Sequence, residues 1–114
     1  MEKIISLCRN YEFQRLYRRG ASAVRPTMVM YALKGKSGQI RLGITAGKKV
    51  GGAVSRNRAK RRVRELFRIT QHEFADGVDV CIVARGRILD ASYEKLVRDF
   101  RSAAEELGLF SETE

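Results

Sequence analysis

The chain has 114 residues, of which 44% are hydrophobic and 32% are charged, and its formal net charge is +10. This length allows one domain with a modest core, and the apolar share excludes wholesale disorder. The sequence shows neither a signal peptide nor an apolar run of membrane-spanning length, so we expect one cytoplasmic, non-membrane domain over residues 1–114.

The charge is unevenly distributed along the chain. Residues 1–70 carry 18 Lys or Arg and 3 Asp or Glu, whereas residues 71–114 carry 5 and 10. This imbalance predicts that a polyanion binds one side of the molecule, with nucleic acid as the leading candidate. The two cysteines, Cys8 and Cys81, are too few for a disulfide framework and lack metal-ligand spacing, which indicates reduced thiols.

The first half of the chain predicts one helix and two strands. Asn10–Arg19 is predicted as a helix, with its first residue as the N-cap and Gly20 beyond its end. Thr27–Leu33 and Ile40–Ala46 have strand patterns, and the loop KGKSGQ between them predicts a β-hairpin. A short extra strand is predicted near Ala21–Val24.

The second half predicts two helices around a strand. Helical periodicity runs from Ala53 to about Phe74, and Val78–Arg85 is strongly apolar and therefore predicted as a strand. A last helix, SYEKLVRDFRSAAEEL, has Ser92 as its cap and Gly108 as its terminator. The element order predicts an α+β fold, an α/β sandwich with a small mixed four-stranded sheet and about three helices.

The helix that begins at Ala53 has an apolar face and a basic face. At about 100° per residue, one arc holds Ala59, Val63, Leu66, Phe67, Thr70 and Phe74. The remaining surface carries Asn57, Arg58, Arg61, Arg62, Arg64 and Arg68, with Arg56 and Lys60 at the seam. We expect the apolar arc to pack on the sheet and the basic arc to stay exposed.

The basic face has three interpretations: a solvated helix surface, a membrane-surface helix or a nucleic-acid-binding surface. Almost no acids lie among the arginines to relieve their repulsion, and the arginine fork suits bidentate phosphate contact. A membrane-surface helix needs its apolar face free, but here a small core requires it. These features favour nucleic acid.

Aromatic residues form the second candidate feature. Phe13 and Tyr17 share one face of the first helix, and Tyr31 lies on the first long strand. They are either core residues or a stacking platform for unpaired bases. Nearby basic residues would give such a groove its charge, namely Arg15, Arg18 and Arg19 on the helix and Arg41 on a strand.

The sequence offers no sign of catalytic chemistry in the polypeptide itself. The lone His72 and the absence of a Cys–His cluster indicate neither a catalytic group nor a zinc site.

The stretch GKKVGGAVSRNRAKRRVRELF resembles the signature of the protein subunit of bacterial ribonuclease P. That signature is a Lys pair, an aliphatic residue, Gly, any residue, Ala-Val, any residue, Arg-Asn-Arg and, one residue later, Lys-Arg. FQRLYRRG is similar to the family's first-helix pattern, and MYAL and DVCIVAR match its strands more loosely. One difference is Gly47, where the family usually has serine.

The resemblance implies a protein cofactor of an RNA enzyme that removes the 5′ leader of precursor tRNA. Hydrolysis would be performed by the catalytic RNA with Mg²⁺, and this chain would supply no catalytic residue and no metal ligand. The implied fold joins two parallel strands through the basic helix in a left-handed crossover. Contacts with the catalytic RNA would fall on Lys48, Lys49, Arg56, Asn57, Arg58, Lys60, Arg61, Arg62, Arg64 and Arg68. A cleft for the single-stranded leader would be lined by Phe13, Tyr17, Tyr31, Arg15, Arg18 and Arg41.

Two other functions are compatible with the same basic helix. The chain could be a structural RNA-binding protein of the ribosomal type, or a ribonuclease that acts without RNA. Cofractionation with ribosomes would favour the first, and cleavage by RNA-free protein would favour the second.

Overall fold

The computed structural model describes residues 4–7, 9–36 and 38–111, so Cys8 and its predicted redox state lie outside the described residues. The elements are β1 (Ile4–Ser6), α1 (Asn10–Arg19), β2 (Ala21–Val24), β3 (Met28–Lys34), β4 (Ile40–Ala46), α2 (Ala53–Thr70), β5 (Val78–Ala84) and α3 (Tyr93–Glu106). Short 3₁₀ turns occupy Lys48–Val50, Gln71–Glu73 and Gly86–Leu89. The four predicted strands and three predicted helices are confirmed, and β1 adds a short strand that the sequence did not predict.

The strands form one mixed sheet in the order β1-β4-β5-β3-β2. β4 pairs in parallel with β1 and β5, whereas β3 pairs antiparallel with β5 and β2. The predicted hairpin between β3 and β4 is therefore wrong, because β5 lies between them. β5 is buried on both faces, which suits a central position in the sheet. Gly77, just before β5, links the neighbouring loops: its carbonyl accepts from Gly35 N and its N–H donates to Gln39 O, at 2.8 Å each.

Helices cover both faces of the sheet. α2 and α3 enclose the main core on one face, where Met30 and Ile82 of the sheet meet Phe67 and Phe100 of the helices. α1 covers part of the other face over a smaller core whose buried residues are Leu7, Leu16 and Cys81. The architecture confirms the predicted α/β sandwich.

The apolar arc predicted for α2 is buried as expected. Ala59, Val63, Leu66, Phe67 and Thr70 are buried within the helix, and Phe74 is buried just beyond it. α2 connects the adjacent parallel strands β4 and β5, so the basic helix joins two parallel strands as the resemblance implied, and the left-handed sense of this crossover stays a prediction. The arginine side of the helix is thereby held at the surface by the core.

The helix ends differ partly from expectation. Ser92 caps α3 by accepting from Lys95 N at 3.1 Å, and Gly108 has a left-handed φ of 68°, both as predicted. α1 begins at Asn10, but its N-cap is Arg9, whose N–H donates to the Glu12 carboxylate. The predicted cap is therefore displaced by one residue, because Glu12 satisfies the N–H of Arg9 rather than that of Asn10.

Candidate nucleic-acid interface

The exposed side of α2 presents a surface that we call the arginine face, consisting of Asn57, Arg58, Arg61, Arg64 and Arg68. Arg68 pairs with Glu65 one turn earlier, and this hydrogen-bonded ion pair lowers the pKa of Glu65. Within the part of the chain that the structure describes, Arg58, Arg61 and Arg64 form no ion pair with a carboxylate. These three arginines therefore form a positively charged surface that no carboxylate of the described residues compensates.

Two other predicted contacts on this helix, Arg62 and Arg56, have structural partners. Arg62 donates to the carbonyl oxygen of Ile88 at 2.7 Å, which fixes the segment before α3 against α2. Arg56 donates to the Gly51 carbonyl at 3.2 Å and so braces the turn that precedes the helix. Lys60 is half-buried at the seam, and Lys48 and Lys49 are exposed in the 3₁₀ turn before α2.

On the opposite sheet face, three rings lie in a row that we call the aromatic row. Phe13 and Tyr17 of α1 have ring centroids 6.4 Å apart, and Tyr17 meets Tyr31 of β3 edge to face at 5.0 Å. All three rings are partly exposed, and Phe13 and Tyr31 also pack on the smaller core. The structure thus brings the three predicted aromatic residues together, and they border the core while keeping solvent-facing surface.

The Phe13 ring packs directly against Gly43 of β4. A Cβ atom at position 43 would lie 2.5 Å from Phe13 Cε1, which is far inside van der Waals contact. Gly20 allows a similar close approach at the end of α1, since a Cβ there would lie 2.7 Å from the Leu16 carbonyl oxygen. These two glycines let α1 lie close to the sheet with its aromatic face against the strands.

Tyr17 of the row and Cys81 behind it both stay neutral at physiological pH. Burial and the neighbouring Cys81 thiol raise the pKa of Tyr17 to about 12. Burial likewise raises the pKa of the Cys81 thiol to about 11, so Cys81 is protonated and a poor nucleophile. The tyrosine ring is therefore uncharged and does not repel an anion.

Arg41, predicted to line the cleft, lies within an ion-pair cluster. Its guanidinium donates to both carboxylate oxygens of the buried Asp79, at 3.1 and 2.8 Å, and to Glu12 of α1 at 2.6 Å. Hydrogen bonds to Asp79, then to Glu12, raise the pKa of Arg41 further. Arg15 lies 3.8 Å from Asp79, whereas Arg18 is exposed on α1. Arg41 anchors α1 to the sheet, and Arg15 and Arg18 are more accessible.

A groove at the ends of β4 and β5 was not predicted. Its volume is 660 Å³, and it joins the sheet face that carries Val29 and Val83 to the turn that contains Lys48 and Lys49. Arg85 and Arg87 also line it. The carboxyl ends of adjacent parallel strands meet at one edge, so this grouping could have been found only once β4 and β5 were known to be neighbours.

Neither a metal site nor a membrane helix is found in the described residues. Across residues 4–7, 9–36 and 38–111 there is no group of three His, Cys, Asp or Glu side chains that could hold a metal ion. In the same residues no helix is long and apolar enough to cross a membrane.

Comparisons with known proteins agree with the resemblance found in the sequence. The family model for ribonuclease P matches residues 1–108. A ribonuclease P protein component from Natranaerobius thermophilus is 37% identical over 100 residues, which cover 88% of this chain and 87% of that protein.

Solved structures extend the agreement to the fold. A mutant of the Staphylococcus aureus RNase P protein with defective mRNA degradation activity superposes with a TM-score of 0.82 at 29% identity, covering 92% of this chain and 89% of that one. The RNase P protein from Thermotoga maritima superposes with a TM-score of 0.76 at 25% identity, covering 85% and 92%. The chain therefore resembles these proteins over nearly its whole length.

Proposed function

The chain belongs to the ribonuclease P protein family, and we propose that it serves this enzyme with two separate RNA-binding surfaces. It is the protein cofactor of the ribonucleoprotein endoribonuclease that processes the 5′ end of tRNA. The arginine face binds the catalytic RNA subunit. The aromatic row binds the single-stranded 5′ leader of precursor tRNA.

The assignment of the catalytic RNA to the arginine face rests on uncompensated charge. Arg58, Arg61 and Arg64 are exposed on a helix whose other side is fixed in the core. Each guanidinium that pairs with a phosphate releases condensed counterions, which favours binding at low salt. A rigid helix also holds these side chains at fixed spacing, so binding costs less conformational entropy.

The observation that carries the leader assignment is the aromatic row itself. Phe13, Tyr17 and Tyr31 offer three partly exposed rings, with neighbouring centroids 6.4 and 5.0 Å apart. Unpaired bases stack on such rings regardless of sequence, whereas bases within a duplex cannot reach them. Mature tRNA has no 5′ extension, so a site for unpaired bases distinguishes precursor from product.

The groove at the ends of β4 and β5 supports a connection between the two surfaces. Val29 and Val83 belong to the sheet face of the aromatic row, and Lys48 and Lys49 precede the basic helix. An RNA strand that extends from the aromatic row towards this edge of the sheet passes Lys48 and Lys49 before it reaches α2. In this arrangement the protein lowers the repulsion between leader and catalytic RNA where they converge.

The chemical step is assigned to the catalytic RNA. Mg²⁺ bound by that RNA supplies the charge stabilisation that phosphodiester hydrolysis requires. The side chains of this chain bind and position the two RNAs, and no proton transfer is assigned to them. We place this work in the cytoplasm, where precursor tRNA is made in bacteria.

The proposal is tested by comparing precursor and mature tRNA binding to the reconstituted complex. Phe13→Ala removes one ring of the row and is expected to weaken precursor binding by about 1–3 kcal/mol while mature tRNA binding stays unchanged. Tyr11→Ala is the matched control, because Tyr11 is a more exposed aromatic residue of the same helix outside the row. Equal reductions for both RNAs would contradict a leader site.

A second candidate function comes from the solved structure whose name refers to mRNA degradation activity. The corresponding hypothesis is cleavage of RNA by the protein alone. Incubation of rigorously RNA-free protein with a messenger RNA tests it directly. Cleavage without added catalytic RNA would assign a second activity to this chain, and its absence would leave the cofactor role as the only activity proposed.

A further inference from the structure

A groove of 440 Å³ lies between α2 and α3, on the sheet face opposite the aromatic row. It is lined by Arg58, Arg61, Arg62, Glu65, Tyr93 and Leu96. Its volume falls in the range of sites that hold small ligands or single groups of larger ones. The groove borders the arginine face and shares Arg58 and Arg61 with it.

The charged residues of the groove are not equivalent. Arg62 is held by the Ile88 carbonyl, and the only acid among the lining residues, Glu65, is paired with Arg68. Arg58 and Arg61 are exposed and, in the described part of the chain, have no carboxylate partner. Arg58 and Arg61 are therefore available to bind an anion. The charge of Glu65 is offset by Arg68, which does not line the groove.

Tyr93 supplies an aromatic wall. It is the first residue of α3, directly after the Ser92 cap, and 53% of its surface is exposed. Leu96, one turn later, is buried at the base of the groove. Among the described residues no other ring stacks on Tyr93. An exposed aromatic ring next to unpaired guanidinium groups is the combination that binds an unpaired nucleotide.

We propose that this groove binds one unpaired nucleotide of the catalytic RNA, with its base stacked on Tyr93 and its phosphate held by Arg58 and Arg61. This inference rests on the proposed function, because it adds a nucleotide-specific contact to the arginine face. A planar ring and two planar guanidinium groups suit a base and a phosphate together. The continuity of the groove with the arginine face selects RNA as its occupant.

The test uses the full-length protein and a transcript of the catalytic RNA. Dissociation constants are measured for the wild type, Tyr93→Ala, Tyr93→Phe and Tyr93→Leu, with nucleotide-resolution chemical probing of the bound RNA. Tyr93→Ala is expected to weaken binding by about 5- to 150-fold and to expose one unpaired nucleotide that the wild type protects. Tyr93→Phe retains the ring, so both affinity and protection should be retained.

Tyr93→Leu separates stacking from simple packing. Leucine keeps apolar bulk on α3 without an aromatic face, so it should behave like alanine if the base stacks on the ring. Tyr11→Ala, which truncates an exposed tyrosine of α1, should leave catalytic-RNA affinity unchanged. Thermal unfolding of every variant shows whether weaker binding reflects a smaller amount of folded protein.

Two results would overturn the inference in different ways. If the wild type binds the catalytic RNA and Tyr93→Ala or Tyr93→Leu binds it equally with the same protections, the groove holds no nucleotide while the proposed function stands. If the wild type does not bind the catalytic RNA at all, the proposed function fails and the groove contact fails with it.

Discussion

At the scale of single residues, two glycines of β4 and the following turn have different roles. Gly43 is enclosed, with the Phe13 ring where a Cβ atom would lie. Gly47, at the position where the resemblance predicts serine, has an ordinary negative φ of −82° and no atom within 4 Å of an added Cβ. A serine would therefore fit at position 47 without a steric conflict.

This contrast gives a paired prediction. Gly43→Ala should push Phe13 off the sheet and reduce the free energy of unfolding by about 1–3 kcal/mol, the usual cost of overpacking. Gly47→Ala should change it by less than about 0.5 kcal/mol, as expected for a surface substitution without a steric conflict. Urea unfolding measures both values. Similar values for the two variants would show that the Phe13 ring adjusts freely and that Gly43 does not hold it.

At the scale of elements, buried carboxylates fix the helices to the sheet. Asp79 of β5 and Arg41 of β4 form a bidentate pair that reaches Glu12 of α1. Asp99 of α3 accepts from Thr27 N at 3.3 Å and from Thr27 Oγ1 at 2.7 Å, just before β3 begins. Both α1 and α3 are therefore attached at a defined position along the strands, which apolar contacts alone would not specify.

Asp99 provides a prediction on pH. Burial opposes its ionisation, but hydrogen bonds from Thr27 and the ion pair with Lys95 outweigh burial and lower its pKa. Because the folded-state pKa lies below the unfolded value, its contribution to stability is present above about pH 4 and disappears as the pH falls further. Asp99→Asn should therefore cost about 1–3 kcal/mol at pH 7 and less near pH 3.

Chemical denaturation at both pH values measures this difference. Asp90→Asn is the matched control, because Asp90 is exposed and, within the described residues, pairs with no cation. A cost for Asp99→Asn that stays constant between pH 7 and pH 3 would show that the carboxylate charge contributes nothing.

The elements also show what the sequence could and could not predict. Periodicity identified the buried side of α2, because one-sided burial leaves a pattern in the chain itself, and the bounds of β4 were predicted to the residue. The order in which strands pair in the sheet leaves no such pattern in the sequence, so the hairpin between β3 and β4 was predicted wrongly. β1 was missed because three residues, Ile4–Ser6, are too few to show an alternation.

At the scale of the whole molecule, the candidate site could likewise be predicted only where its residues lie close together in the sequence. The arginine face could be predicted because its residues are close in the sequence and share one helix. The role of Arg41 as an anchor could not, because its partner Asp79 is 38 positions away. Tyr93 and Arg85 fall in the acidic half of the chain and reach the basic surface only through the fold.

The uneven charge of the molecule leads to a final prediction that separates local binding from overall charge. Arg61→Ala or Arg64→Ala should weaken catalytic-RNA binding and reduce the slope of log K against log salt by about one unit for each phosphate that is no longer neutralised. Arg98→Ala makes the same change in net charge on an exposed site of α3, outside the arginine face, and should leave the slope unchanged. Affinities measured across a salt series distinguish the two cases. If all three variants flatten the slope equally, RNA responds to the net charge of the protein, and the arginine face binds no specific phosphates.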